Sequence, residues 1–131
     1  VKEHMRKNSL EHDEDVVEYI EKQCSPIIRH YKNHFNRPRP YQVADLYNKK
    51  LDRFKTGTAK TPAYPSGHAC QPMVVALHYA KKYPEHKNEL VRGAKICGYG
   101  RVVAGLHYPS DYDAGIELAH KLMDFMNYDK F

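Results

Sequence analysis

Apolar residues recur along this chain at helical spacing and almost nowhere alternate as a strand requires. Leu10, Val16, Val17, Ile20 and Cys24 mark one stripe. Ile27, Ile28 and Tyr31 continue it beyond Pro26 as far as Lys32. Asn8-Ser9-Leu10-Glu11 has the spacing of a capping box and predicts a helix start, and Pro26 predicts a kink or break. Arg37-Pro38-Arg39-Pro40 predicts an extended turn. A short helix is expected from Tyr41 to Arg53, with Val43, Ala44, Leu46, Tyr47 and Leu51 facing inward. The Thr-, Gly- and Pro-rich stretch from Lys55 to Pro65 predicts a loop. Met73, Val74, Leu77 and Ala80 predict a helix running towards Tyr83-Pro84. Its start is open: at Ser66 if Pro72 lies inside it, near Gln71 if Pro72 opens it. A further helix is expected from Glu85 to about Ala104, closed around His107 by Gly105 and Pro109. Ser110 to Asp113 predicts the capped start of a last helix burying Ile116, Leu118, Ala119, Leu122 and Met126. No repeat or low-complexity tract interrupts the pattern. The expected fold is all-α, a compact single-domain bundle of about five to seven helices over residues 1–131.

Composition narrows this picture. A chain of 131 residues is long enough to bury a core without staples. Mean hydropathy is −0.78, and the most apolar run, Met73 to Ala80, is far too short to span a bilayer. With no charged-then-apolar leader, a cytoplasmic or otherwise soluble protein without a transmembrane segment is expected, and a removed leader is left open because the sequence begins at Val1. Homo-oligomerisation is open too. Cys24, Cys70 and Cys97 form no C-x-x-C, disulfide or zinc pattern and read as small buried apolar residues. The formal net charge is +5. Lys and Arg are scattered among acids, so an anion pocket is expected and nucleic acid is not.

The candidate chemistry lies in three blocks in a fixed order: Lys32 to Pro40 (K-x6-R-P), Pro65-Ser66-Gly67-His68, and Arg101 to Asp111 (R-x5-H-x3-D). They supply three fixed cations, two histidines, a carboxylate and a glycine beside a candidate helix start. Such a set holds a phosphate-like oxyanion and attacks it with an imidazole. His30 and His34 are spaced as a metal pair, but no third ligand is indicated and they read as a solvated helix face. Tyr64, next to the second block, reads either as a substrate contact or as core or rim. Arg37 has no pattern support and falls outside the set.

From Lys32 to Asp111 these blocks resemble the signature of the type 2 phosphatidic acid phosphatase superfamily, which includes bacterial acid phosphatases, lipid phosphatases and vanadium haloperoxidases. One departure is Gly100, where the family usually has Ser; its backbone N–H is expected to stand in part for the missing hydroxyl. The resemblance implies a helical, metal-independent phosphomonoesterase with no cofactor, acting on a small phosphoester and inhibited by vanadate. Lys32, Arg39 and Arg101 would hold the phosphoryl oxygens with Ser66 and Gly67. His107 would be the nucleophile, forming a phosphohistidine, and Asp111 would orient it. His68 would be the general acid, then the base that activates water. The alternatives are a haloperoxidase holding vanadate as cofactor, a lipid or isoprenoid phosphate phosphatase, and a non-catalytic phosphate-binding protein.

Overall fold

The computed structural model describes residues 1–126, and among these the regular elements are six α-helices and one 3₁₀ turn. The helices are α1 (Lys2–Lys7), α2 (Glu14–Phe35), α3 (Pro40–Leu46), α4 (Gly67–Lys82), α5 (Lys87–Val103) and α6 (Pro109–Phe125), with the turn at Pro84–His86 before α5. The chain is therefore all-α, as its periodicity predicts.

Central position falls to α4. Its residues Cys70, Met73, Val74, Ala76 and Tyr79 are buried, and α5, α6 and α2 pack around it. Val16, Ile20, Cys24 and Ile28 give α2 its buried stripe. Leu90 and Ala94 from α5, and Ala119, Leu122 and Met123 from α6, close the core. Ile116, Leu118 and Met126 pack against it while partly buried.

Several boundaries differ from expectation, each for a local reason. The first long helix starts at Glu14, because the Asp13 carboxylate accepts from the Asp15 N–H and caps it. Asn8 instead closes the short α1. Pro26 does not end α2, which runs on to Asn36 in the left-handed region. Pro72 likewise lies inside α4, whose N-cap is Ser66. Lacking an N–H, Pro72 leaves the His68 carbonyl without its helix partner. The third helix ends at Leu46, and Leu46 and Tyr47 are 80% and 72% exposed with Leu51 also exposed, so these three do not face inward. The fifth ends at Val103, before His107. The last is capped at Tyr108, not Ser110, with Pro109 in its first turn. Cys24 and Cys70 are buried as expected, but Cys97 is exposed on α5.

Two glycines let α5 and α6 approach the first turn of α4. A Cβ on Gly98 would lie 2.8 Å from Ala69 Cα, and one on Gly115 would lie 2.5 Å from the Ser66 carbonyl oxygen and 2.8 Å from Ala69 Cβ. Gly115→Ala is therefore expected to destabilise the fold by about 2–4 kcal/mol through overpacking against backbone. Gly100→Ala, whose Cβ meets nothing within 4 Å, is expected to stabilise by up to about 1 kcal/mol on helix propensity. Urea midpoints of the two variants check both signs, and an unchanged midpoint for Gly115→Ala contradicts the close approach.

Candidate active site

The three blocks converge because the ends of the helices do. Lys32 occupies the last turn of α2 and Arg39 the N-cap of α3. Ser66 caps α4 and leads into Gly67 and His68, while Arg101 sits in the last turn of α5. His107 lies in the loop after α5, and Asp111 in the first turn of α6. A cleft of about 450 Å³ brings together Lys32, Arg39, Gly67, His68, Arg101 and His107, and is also lined by Arg29, Lys60, Thr58 and Gln71. Five cations line it and no carboxylate does.

Asp111 is 0% exposed and organises the inner wall. Its Oδ2 faces His107 Nδ1 at 3.1 Å and accepts from the Tyr108 backbone N–H at 2.8 Å. Its Oδ1 accepts from Arg37 Nη1 at 2.7 Å, and its carbonyl accepts from the Ser66 N–H at 3.0 Å. Burial pushes the Asp111 pKa up, but the hydrogen bonds from His107 and Tyr108, the charge of His107 and the bond from Arg37 outweigh it and hold the carboxyl below its ordinary value.

His107 is buried, with its Nε2 2.9 Å from Arg39 Nη1. A guanidinium only donates, so Nε2 must accept, and the ring proton then belongs on Nδ1, facing Asp111. The tautomer is thereby fixed, with the Nε2 lone pair towards the cations. Burial lowers the His107 pKa; the bond to Asp111 opposes this, and the Arg39 and Lys32 charges reinforce it. Neutral imidazole is favoured.

Arg39 is itself almost fully buried. Its Nε donates to the Thr61 carbonyl at 2.8 Å and its Nη1 to the Leu106 carbonyl at 3.0 Å. Lys32 Nζ donates to the Pro62 carbonyl at 2.7 Å. Burial first, then the Arg39 charge, brings the Lys32 pKa down to about 8. Arg101 Nη2 donates to Thr58 Oγ1 at 2.8 Å, while its buried Nε has no partner among the described residues. Ser66 Oγ accepts from the Ala69 N–H at 3.2 Å, which caps α4 and leaves the hydroxyl proton to donate elsewhere. His68 is exposed on one side. Partial burial in the cleft, followed by the charges of Arg101, His107, Arg39 and Lys32, lowers its pKa to about 4.

Every residue singled out from the three blocks thus reaches the cleft or its wall. Gly100 does not: it lies in the body of α5 and lines an outer groove with Tyr99, Val103 and Tyr112. Its N–H falls where the helix ladder claims it, not where an anion would sit. Tyr64 packs on Phe35 and under the Arg37 guanidinium, outside the cleft. His30 and His34 are exposed on α2. Among the described residues no three His, Cys, Asp or Glu are grouped to hold a metal ion.

Arg37 is the participant that sequence reasoning missed. It bridges Asp111 Oδ1 and Ser110 Oγ, each at 2.7 Å, with Tyr64 at its face. Its place two residues before Arg39, in the same extended turn, was the available signal.

The chain belongs to the PAP2 superfamily, which its residues 23–120 match. It is 35% identical over 88 residues to an acid phosphatase of Zymomonas mobilis, covering 67% of this chain and 33% of that protein. Similar matches are the non-specific acid phosphatases of Salmonella typhimurium (35% over 86 residues; 64% of this chain, 33% of that one) and Providencia stuartii (33% over 89; 66% and 34%). The chain thus spans about a third of the length of these relatives.

Arg37→Met is expected to raise the Asp111 pKa, since a buried carboxylate loses a charged donor. Because the folded pKa of Asp111 lies below the unfolded 3.8, its stabilising contribution is complete above about pH 5 and is lost as pH falls through the folded value. In Arg37→Met the acid unfolding midpoint should therefore move to higher pH, with Arg37→Lys in between. Acid titrations followed by circular dichroism check the order; superimposed curves contradict the bracing role.

Proposed function

We propose that the chain is a phosphomonoester hydrolase of the acid-phosphatase kind, working through a phosphohistidine without a metal. One observation carries this reading: among the described residues the cleft is lined by five cations and no carboxylate, with the Nε2 of His107 turned towards Arg39. Like charges lower one another's pKa here, and a phosphoryl dianion relieves that repulsion. Similarity to acid phosphatases supports the reaction class.

In this mechanism Arg39 Nη1 moves its hydrogen bond from His107 Nε2 to a phosphoryl oxygen, freeing the lone pair. Lys32 and Arg101 hold the other oxygens, aided by the Ser66 hydroxyl and the N–H groups at the start of α4. Nε2 forms a bond to phosphorus as the bond to the leaving oxygen breaks, and His68 gives that oxygen its proton. Asp111 stabilises the ring cation that results. His68, now neutral, takes a proton from water, which displaces phosphate and restores His107 Nε2.

The low His68 pKa sets a pH dependence. Burial and the cations of the cleft bring the His68 pKa down to about 4. A bound dianion offsets the cations that depress this value and moves it up. Cleavage of esters that need the acid is therefore favoured at low pH and falls as pH rises through the His68 pKa of the complex, while burial keeps His107 neutral further into acid.

Three outcomes test this. Activity should persist in excess EDTA and fall with vanadate, a mimic of the transition state; loss in EDTA that is restored by zinc or magnesium overturns the metal-free mechanism. Quench with labelled substrate should place phosphorus on His107 and not on a His107→Ala variant. His68→Ala should slow phosphorylation of the enzyme by an alkyl phosphate about 10²–10⁴-fold. Nitrophenyl phosphate, whose leaving group is a weak base, should be slowed far less, and equal losses for both esters exclude His68 as the acid.

A further inference from the structure

The five cations of the cleft stand at two depths. Lys32 and Arg39 are buried and Arg101 is half-buried, whereas Arg29 and Lys60 are exposed. The inner three are engaged with the protein: Arg39 donates to Thr61 and Leu106, Lys32 to Pro62 and Arg101 to Thr58. Neither Arg29 nor Lys60 has a side-chain hydrogen bond or ion pair among the described residues, and neither belongs to the three blocks.

Local geometry holds this outer pair beside the inner three. Arg29 precedes Lys32 by three residues on α2, so their Cβ atoms lie about 5–6 Å apart on one helix face. It also follows Ile28, whose Cγ2 lies 3.9 Å from where a Cβ on Gly67 would be. That contact sets this turn of α2 level with Gly67 and His68 at the start of α4. Lys60 lies in a segment tied to all three inner cations: Thr58 Oγ1 accepts from Arg101, the Thr61 carbonyl from Arg39 and the Pro62 carbonyl from Lys32. Ala59 of the same segment is buried, and its carbonyl accepts from the Tyr41 hydroxyl.

Charge then decides what fits. A phosphoryl dianion held at Lys32, Arg39 and Arg101 leaves Arg29 and Lys60 without a counter-ion, and no carboxylate lines the cleft to supply one. Asp111, in the inner wall, is answered by Arg37. The groove of about 330 Å³ past His68 and Gln71 differs, because Lys2 and His12 line it together with Glu14 and Glu21. We propose, resting on the phosphatase reading above, that Arg29 and Lys60 form a second anion subsite, which selects phosphomonoesters whose alcohol carries a further anionic group about three carbons from the ester oxygen. His68 protonates the leaving oxygen level with the Arg29 turn, so the alcohol lies within reach of both cations. A three-carbon spacer separates two anionic groups by about the distance between neighbouring turns of α2.

The test compares propyl, 3-sulfopropyl, 3-carboxypropyl and 3-aminopropyl phosphates by kcat/KM, and the matching non-hydrolysable phosphonates by calorimetry. At low salt each anionic ester should exceed propyl phosphate about four- to tenfold, since an exposed ion pair contributes about two- to threefold. The advantage should fade as salt rises, and the amino ester should fall below propyl phosphate. Arg29→Gln and Lys60→Gln should each cut the sulfopropyl-to-propyl ratio about two- to threefold, and the double variant should bring it to about one. Lys95→Gln removes an exposed cation of α5 that does not line the cleft, and should leave the ratio unchanged. A ratio near one in the unaltered protein, a ratio untouched by the double variant, or one that Lys95→Gln lowers as much as Arg29→Gln does overturns the subsite while leaving the phosphatase intact. Graded phosphonate binding that the double variant flattens, without hydrolysis of any ester, keeps the subsite and overturns the phosphatase reading. No hydrolysis with flat binding overturns both.

Discussion

A carboxylate with no exposed surface holds this site together. Burying Asp111 as an anion is costly unless its lone pairs are met, and every contact that meets them fixes a different part of the chain. The bond to His107 Nδ1 sets the ring and its tautomer. The Tyr108 N–H closes the first turn of α6, and Arg37 draws the extended turn before α3 against that helix. The Asp111 carbonyl, receiving the Ser66 N–H, ties α6 to the cap of α4. The three blocks are thus joined by one hydrogen-bonded residue as well as by the core beneath them.

Around this anchor the chain accepts local electrostatic strain. Lys32, Arg39 and Arg101 lie within reach of one another's charge, and all three have their pKa values lowered, with burial the largest cause. Backbone carbonyls of Thr61, Pro62 and Leu106 offset part of the cost for Lys32 and Arg39. Arg39 also donates to His107 Nε2, so the ring nitrogen that faces the cations already has a partner. Places where local rules are broken tend to be functional, and this cluster is the clearest such place in the fold.

The match to the PAP2 superfamily runs over residues 23–120, which contain all three blocks. Gly100 lies outside the cleft, and the space beside it is open. The groove past His68 is lined by Val17, Glu21, Pro72, Val75 and Cys97, which the three blocks do not include.

Sequence by itself determined the helical class and brought forward the residues that the fold then gathers at one cleft. Helical periodicity and the spacing of Lys32, Arg39, Ser66, Gly67, His68, Arg101, His107 and Asp111 are local properties, readable without coordinates. It did not determine where long-range contacts decide. Pro26 and Pro72 lie within helices because packing around α2 and α4 outweighs the lost bonds. Leu46 and Tyr47 point outward because α3 stops before the pattern can be buried. Arg37 has no pattern support along the chain and meets Asp111 only where α6 lies beside it, and the groove beyond His68 exists only where three helices distant in sequence run together. Periodicity and motif spacing are carried by neighbours along the chain. The partner of a charge, the tautomer of a histidine and the walls of a cleft are set by residues far apart in sequence, and only the tertiary fold brings those together.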